Sequence, residues 1–378
     1  MVSYIQTNER IYKFMKFESE KYIFTVSDEK LFHDHSKDGK SGHLGHGMCE
    51  YKEGCVLAFY PVNDGEKWSG HNGLGFCKMK RSYDSGETWT DLDEVYPFSD
   101  SLYRQKIDVY SAVEKAVCTK TGRIIAFNVI MDLQDSKGCG YEPFRVSSYC
   151  ISDDEGKTWS DPKRFCDVPG RIYDARIFDD KIYVLILYAK DSTDKSKLMV
   201  YHLFKSEDNG ETFENVSVVP FPVDFEYTRY YGTMEKLKDG SIIAYSYRGI
   251  SKEYELDYVI SKDDGKTWGE MKQAHFEKRI RNPQLVKFKD SFFLFGRSGS
   301  NGEQDKAGHN IIYFSDDGIN FDEGHYLKMR EFGAGAYSNG IIVHKAGEER
   351  LLIRMSHAYE ANRTNIYSWF IDAKAKGE

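Results

Sequence analysis

An eight-residue phrase recurs along this chain, and few folds accommodate such a recurrence. It reads Ser82-Tyr83-Asp84-Ser85-Gly86-Glu87-Thr88-Trp89, then Ser152-Asp153-Asp154-Glu155-Gly156-Lys157-Thr158-Trp159. It returns as Ser206-Glu207-Asp208-Asn209-Gly210-Glu211-Thr212-Phe213 and Ser261-Lys262-Asp263-Asp264-Gly265-Lys266-Thr267-Trp268. A shortened copy is Ser315-Asp316-Asp317-Gly318-Ile319-Asn320-Phe321. Ser and Asp side chains bond nearby backbone N–H groups, and Gly accepts a positive φ. The octad therefore suits a tight turn between strands, with Thr and the aromatic ring starting the next strand.

The serines that open the copies lie 70, 54, 55 and 54 residues apart. A repeating unit of about 40–50 residues that carries four strands is a propeller blade. Strand-like runs with a turn between them precede each octad, at 47–59, 111–127, 173–187, 233–247 and 284–296; a sixth copy, 338–355, has no octad after it. The expected fold is all-β, a six-bladed β-propeller with four-stranded antiparallel blades, forming a single domain over residues 1–378. The last blade needs an outer strand, supplied either by 365–371 or by 21–26, because an open ring would leave sheet edges unpaired.

Bulk properties narrow the function classes. A net charge of −8 argues against a nucleic-acid partner. No apolar run approaches the ~20 residues that span a bilayer. The first residues have no basic head followed by an apolar stretch, so no secretory signal is read there. The seven cysteines are odd in number and scattered, which reads as reduced thiols in a cytoplasm. His33 and His35, and His43 and His46, have suggestive spacings without a clear third ligand, so neither a metal nor a cofactor is expected. The expected partner is a small-molecule or oligosaccharide substrate, with no membrane involved.

The octads resemble the Asp boxes of the sialidase superfamily, and the resemblance covers nearly the whole chain. It implies that the octad turns mark one face of the ring, while the starts of the inner strands gather at the other mouth of a central channel. The inner-strand starts carry His43, His46, Tyr110, Ser111, Arg171, Asp174, Tyr230, Tyr231, Arg281, Asn282, Tyr337 and Ser338. Return loops to the same mouth carry Asp64, Glu66, His71, Asn72, Asp132, Asp135, Arg248, Arg297, Glu303, His357, Tyr359 and Arg363.

Sialidases use a tyrosine nucleophile paired with a glutamate, an aspartate acid/base and three arginines that grip the sugar carboxylate. A neutral phenol avoids the repulsion between a carboxylate nucleophile and an anionic sugar, and the arginine fork matches a carboxylate. The resemblance makes Tyr337, in Ala336-Tyr337-Ser338, the nucleophile, Asp64 the acid/base, and Arg248 and Arg281 two of the clamps. The pattern departs at two places. His46-Gly47-Met48 stands where the first family arginine belongs, and Tyr231 stands near the place of the family glutamate; Glu114 or Asp174 could substitute as base. The expected activity is that of a divergent, exo-acting sialidase-like glycoside hydrolase on an acidic sugar. Its catalytic set is Tyr337, Asp64, Arg248, Arg281 and Tyr231, with His46, His71, Arg171, Asp174, Glu114 and Arg297 binding substrate. Two alternatives stand beside it. One is a polysaccharide lyase acting on uronic-acid glycans with Tyr and His as acid and base, and the other is a non-catalytic glycan-binding propeller.

Overall fold

The octads fold alike in the computed structural model. In the first, Ser82 Oγ donates to Asp84 Oδ1 at 2.7 Å and accepts from the Gly86 N–H at 2.8 Å. Asp84 in turn accepts from the Thr88 N–H at 2.8 Å and from Thr88 Oγ1 at 2.6 Å. The same bonds recur at Ser152–Thr158, Ser206–Thr212 and Ser261–Thr267. In the shortened copy Asn320 takes the place of the threonine against Asp317. Two successive residues are left-handed, Ser85 at φ 64° and Gly86 at φ 89°, and the other full octads repeat the pair.

The octad glycine is required for a second reason, which is close packing. A Cβ on Gly86 would stand 2.8 Å from Leu352 Cδ2, one on Gly156 2.8 Å from Leu57 Cδ2, and one on Gly210 or Gly265 2.1 Å from Ile125 Cδ1 or Leu203 Cδ2. Leu57, Ile125 and Leu203 belong to the preceding unit of strands, and Leu352 to the last unit. The octad ring follows the same rule. Trp159 lies 5.7 Å from Phe59, Phe213 6.1 Å from Phe127 and Phe321 6.4 Å from Tyr245. Four of the five rings do not begin the next strand: those strands start only at Glu94, Lys163, Lys272 and His325. An octad thus seals one unit against its neighbour.

The structure describes residues 2–7, 10–65, 74–105, 109–132, 144–189, 199–222, 231–249, 254–298, 308–329 and 337–377, with side chains from residue 15 onward except those of Asp132 and Ala189. Strands pair almost entirely antiparallel, in sheets of seven, eleven, four and four strands. The eleven-stranded sheet arises because the long strand Lys163–Phe178 serves two neighbours. Its first half pairs with Val146–Ser152 and its second half, from Gly170, with Lys181–Ala189. A single parallel bridge, Gly75 to Tyr110, joins two further hairpins in that sheet. At the chain ends both expected closures occur together. Arg363–Ala375 pairs with Glu348–Glu360, and Tyr22–Val26 then pairs with Arg363–Ala375.

The strands Met48–Lys52, Val109–Cys118, Lys163–Phe178, Gly232–Lys236, Arg281–Phe288 and Ser338–Lys345 contact one another in turn, and the last contacts the first. Behind them lie runs buried throughout, such as Val56 to Tyr60 and Phe292 to Phe295, as expected for strands covered on both faces. Among the described residues no helix is long and apolar enough to cross a membrane.

Candidate functional site

The inner strands enclose a space divided by one lysine. On one side a cavity of about 500 Å3 is lined by side chains that include Glu50, Arg176, Glu235, Lys287 and Asn339. On the other, a tight cavity of about 20 Å3 is lined by His46, Glu114, Arg171, Tyr173, Tyr231, Gln284 and Tyr337. Lys115 borders both. Its ammonium reaches Asn339 Oδ1 at 2.7 Å, Asp174 Oδ1 at 3.2 Å and the Gln284 amide oxygen. Burial lowers its pKa to about 8, and Asp174 opposes that shift.

Asp174 is completely buried within this plug. It accepts from the Ala175 N–H at 2.9 Å, Thr233 Oγ1 at 2.8 Å and the Met234 N–H at 3.0 Å, and pairs with Arg176 at 3.2 Å. Burial alone would raise its carboxyl, but Arg176, Lys115 and the Met234 and Thr233 donors outweigh it and hold the group below the usual range. Its oxygens are therefore engaged with the scaffold.

Around the small cavity the predicted residues converge. Tyr337 Oη donates to Tyr231 Oη at 3.2 Å, and Arg281 Nη2 donates to the same Tyr231 oxygen at 3.4 Å. The Arg281 guanidinium stands 5.3 Å from the Tyr231 ring and 5.5 Å from that of Tyr247. Arg171 lies 5.5 Å from the Tyr337 ring and 4.9 Å from the Tyr173 ring, and pairs with Glu114 at 2.7 Å. The His43 ring packs edge-on to Tyr337 at 4.8 Å. His46 sends Nε2 to the His43 carbonyl at 3.3 Å, and complete burial, with Arg354 nearby, holds it neutral. Two wall residues are left-handed without being glycine, Tyr231 at φ 64° and Asn282 at φ 54°. Such backbone is costly and clusters at functional sites.

The arginines divide into two kinds. Arg171 has its carboxylate in Glu114. Arg297 is 5% exposed and stands opposite Arg281 in the ladder. Burial and then the Arg281 charge lower its pKa, with Tyr337, Tyr231 and Tyr247 opposing. Among the described residues no carboxylate pairs with Arg281 or Arg297. Their Nε atoms are both buried without a hydrogen-bond partner. A buried cation without a counter-charge is expensive, so an anion in this corner would offset that cost.

Other candidates lie apart from this cluster. Arg248 is held by Glu255 and by Asp257 at 3.3 Å in its own sheet. Asp64 is half-exposed and bonded to Lys40 at 2.7 Å. His71, Glu66, Asn72, Asp135, Tyr230 and Glu303 lie outside the described residues, as does the side chain of Asp132. Tyr247, Tyr173 and Lys115 were missed in the sequence. For Tyr247 a signal existed: strand alternation that points Tyr245 and Tyr247 one way points Arg248 the other.

No family model and no curated protein matches the sequence. Solved structures do. A protein of unknown function from Dyadobacter fermentans superposes with a TM-score of 0.69 at 14% identity, over 92% of this chain and 99% of its own. The Hadza microbial sialidase Hz136 gives 0.62 at 16% identity, over 92% and 68%. The NanB sialidase from Streptococcus pneumoniae gives 0.59 at 11% identity, over 91% and 70%. The chain has a sialidase-like all-β fold carried by a highly divergent sequence.

Proposed function

We propose that this chain is a six-bladed propeller acting as a divergent sialidase-like glycoside hydrolase on an acidic sugar. The cyclic contact of the inner strands supports the blade count. So does the way each octad glycine meets the preceding unit, with Gly86 closing onto Leu352. The observation that carries the activity is the chain Tyr337–Tyr231–Arg281 beside a second unpaired arginine, Arg297. The two guanidiniums bind the sugar carboxylate. Tyr337 attacks the anomeric carbon as the glycosidic bond breaks, its proton passes to the Tyr231 hydroxyl, and Tyr231 gives its own proton to the departing oxygen. Arg171, held by Glu114, packs against the Tyr337 ring. The described cysteines are all free, which supports a reducing compartment.

A lyase reading draws on one feature, a phenol where a hydrolase of this type carries a carboxylate. Both readings are tested together by incubating purified protein and its Tyr337→Phe variant with acidic aryl glycosides and uronic-acid polymers. Release of reducing sugar that falls at least about a hundredfold in the variant supports hydrolysis by this site. A new ultraviolet-absorbing double bond assigns a lyase. Binding that survives Tyr337→Phe with no product in either protein assigns a glycan-binding module.

A further inference from the structure

Outside this site, one cluster of side chains has the makings of a metal centre. His33 ends the strand Lys30–His33, and His35 opens the short 3-10 turn that follows. A nitrogen from each and a carboxylate oxygen of Asp38 lie within 4.8 Å of one another. The His33 and His35 rings are 4.3 Å apart, and His35 Nδ1 is 3.6 Å from Asp38 Oδ1. Bonds of zinc length set at the tetrahedral angle separate neighbouring ligands by about 3.4 Å. A small inward movement closes the set.

The second observation is His35 itself. Its ring is completely buried, yet neither nitrogen makes a hydrogen bond of good geometry. Buried polar nitrogens are ordinarily satisfied. The backbone carbonyl of Pro61 also faces this ring, and a metal-bound imidazole ordinarily gives its second N–H to such an oxygen. The surrounding charges are mixed. Asp34, Asp38 and Asp93 favour a cation, and Lys78 and Lys80 oppose it, each lying within reach of Asp93.

We infer that His33, His35 and Asp38 form a binding site for a zinc-class divalent metal, with the fourth position open. Two imidazoles and one carboxylate suit zinc over calcium or magnesium. The metal fastens the segment that runs on to His43, whose ring packs against Tyr337. Tyr359 holds the same segment by donating to the carbonyls of His35 and Lys40.

The test uses untagged full-length protein stripped of metal and titrated with Co2+, then Zn2+. One equivalent of Co2+ should bind with the visible absorption of a low-coordinate site, and Zn2+ should displace it. Asp38→Ala, at an exposed position, and His33→Ala should each weaken Co2+ binding by at least about tenfold. Circular dichroism confirms that both variants are folded. His325→Ala should leave binding unchanged, because the cluster Asp322, Glu323 and His325 is the competing location. No uptake by the stripped wild-type chain at millimolar Co2+ overturns the inference. So does wild-type affinity in either the Asp38 or the His33 variant, or loss of binding in the His325 variant.

Discussion

Replacing Asp174 by Asn separates scaffold from site. Each carboxylate oxygen faces at least two donors: the Ala175 N–H and Lys115 on one side, Thr233 Oγ1 and the Met234 N–H on the other. An amide placed either way sets its own N–H groups against two of them. Lys115 also loses this counter-charge while remaining buried, and the half-buried Arg176 keeps only Glu235. Breaking one partner of a buried pair costs about 3–5 kcal/mol, a large share of the 5–15 kcal/mol that ordinarily separates folded from unfolded protein. The assay is urea unfolding followed by fluorescence, comparing midpoints at equal slope. The pH dependence supplies a second signature. The carboxyl of Asp174 is held below its ordinary value in the fold. Its contribution is therefore full above the unfolded value of about 3.9 and fades as pH falls through the lower, folded value. The gap between wild type and Asp174→Asn should be widest near neutrality and narrow in acid. A gap below about 1 kcal/mol at pH 7, or one that widens in acid, refutes the view that Asp174 pins the inner strands together.

Two further outcomes follow from the same geometry. Arg297→Met removes a buried cation that has no carboxylate partner among the described residues, so the ligand-free chain should be no less stable in urea. The KM for an acidic glycoside should rise about ten- to a hundredfold, the worth of one charge-assisted hydrogen bond; an unchanged KM removes Arg297 from the anion site. Gly265→Ala puts a Cβ 2.1 Å from Leu203 at a residue whose φ is 83°, so thermal unfolding should show a loss of about 1–3 kcal/mol. Gly122→Ala, with φ 84° and open space around it, should lose less, because only the backbone is strained.

The fold was legible because the octad carries its own hydrogen bonds. Ser, Asp and Thr at fixed spacing satisfy one another and the turn backbone locally, so the pattern needs no knowledge of distant residues. What the octad does beyond the turn was not legible. That Gly156 and Trp159 lean on Leu57 and Phe59 depends on how neighbouring units stack, and no local spacing encodes it. The same limit applies to the chain ends. The runs 365–371 and 21–26 read as competing candidates for one edge, yet they occupy successive places in one sheet.

The candidate site was legible where a residue begins an inner strand and illegible where strand alternation decides. Tyr337, Tyr231 and Arg281 stand at the starts of inner strands and Arg171 where the second half of Lys163–Phe178 begins, and their approach to one another fixes their meeting. Arg248 ends a second strand one residue after Tyr247. A shift of one position exchanges the faces of a strand, and so Tyr247 stands by Arg281 while Arg248 turns to Glu255 and Asp257. The cationic corner is completed from the next sheet instead, by Arg297 directly across the ladder from Arg281. Two arginines on facing strands of one hairpin place both charges in one corner without any contribution from position 46. His46 there is neutral and buried. With Tyr231 rather than a carboxylate beside Arg281, no carboxylate among the described residues pairs with either guanidinium, and on the proposed reading an acidic ligand would meet two cations there.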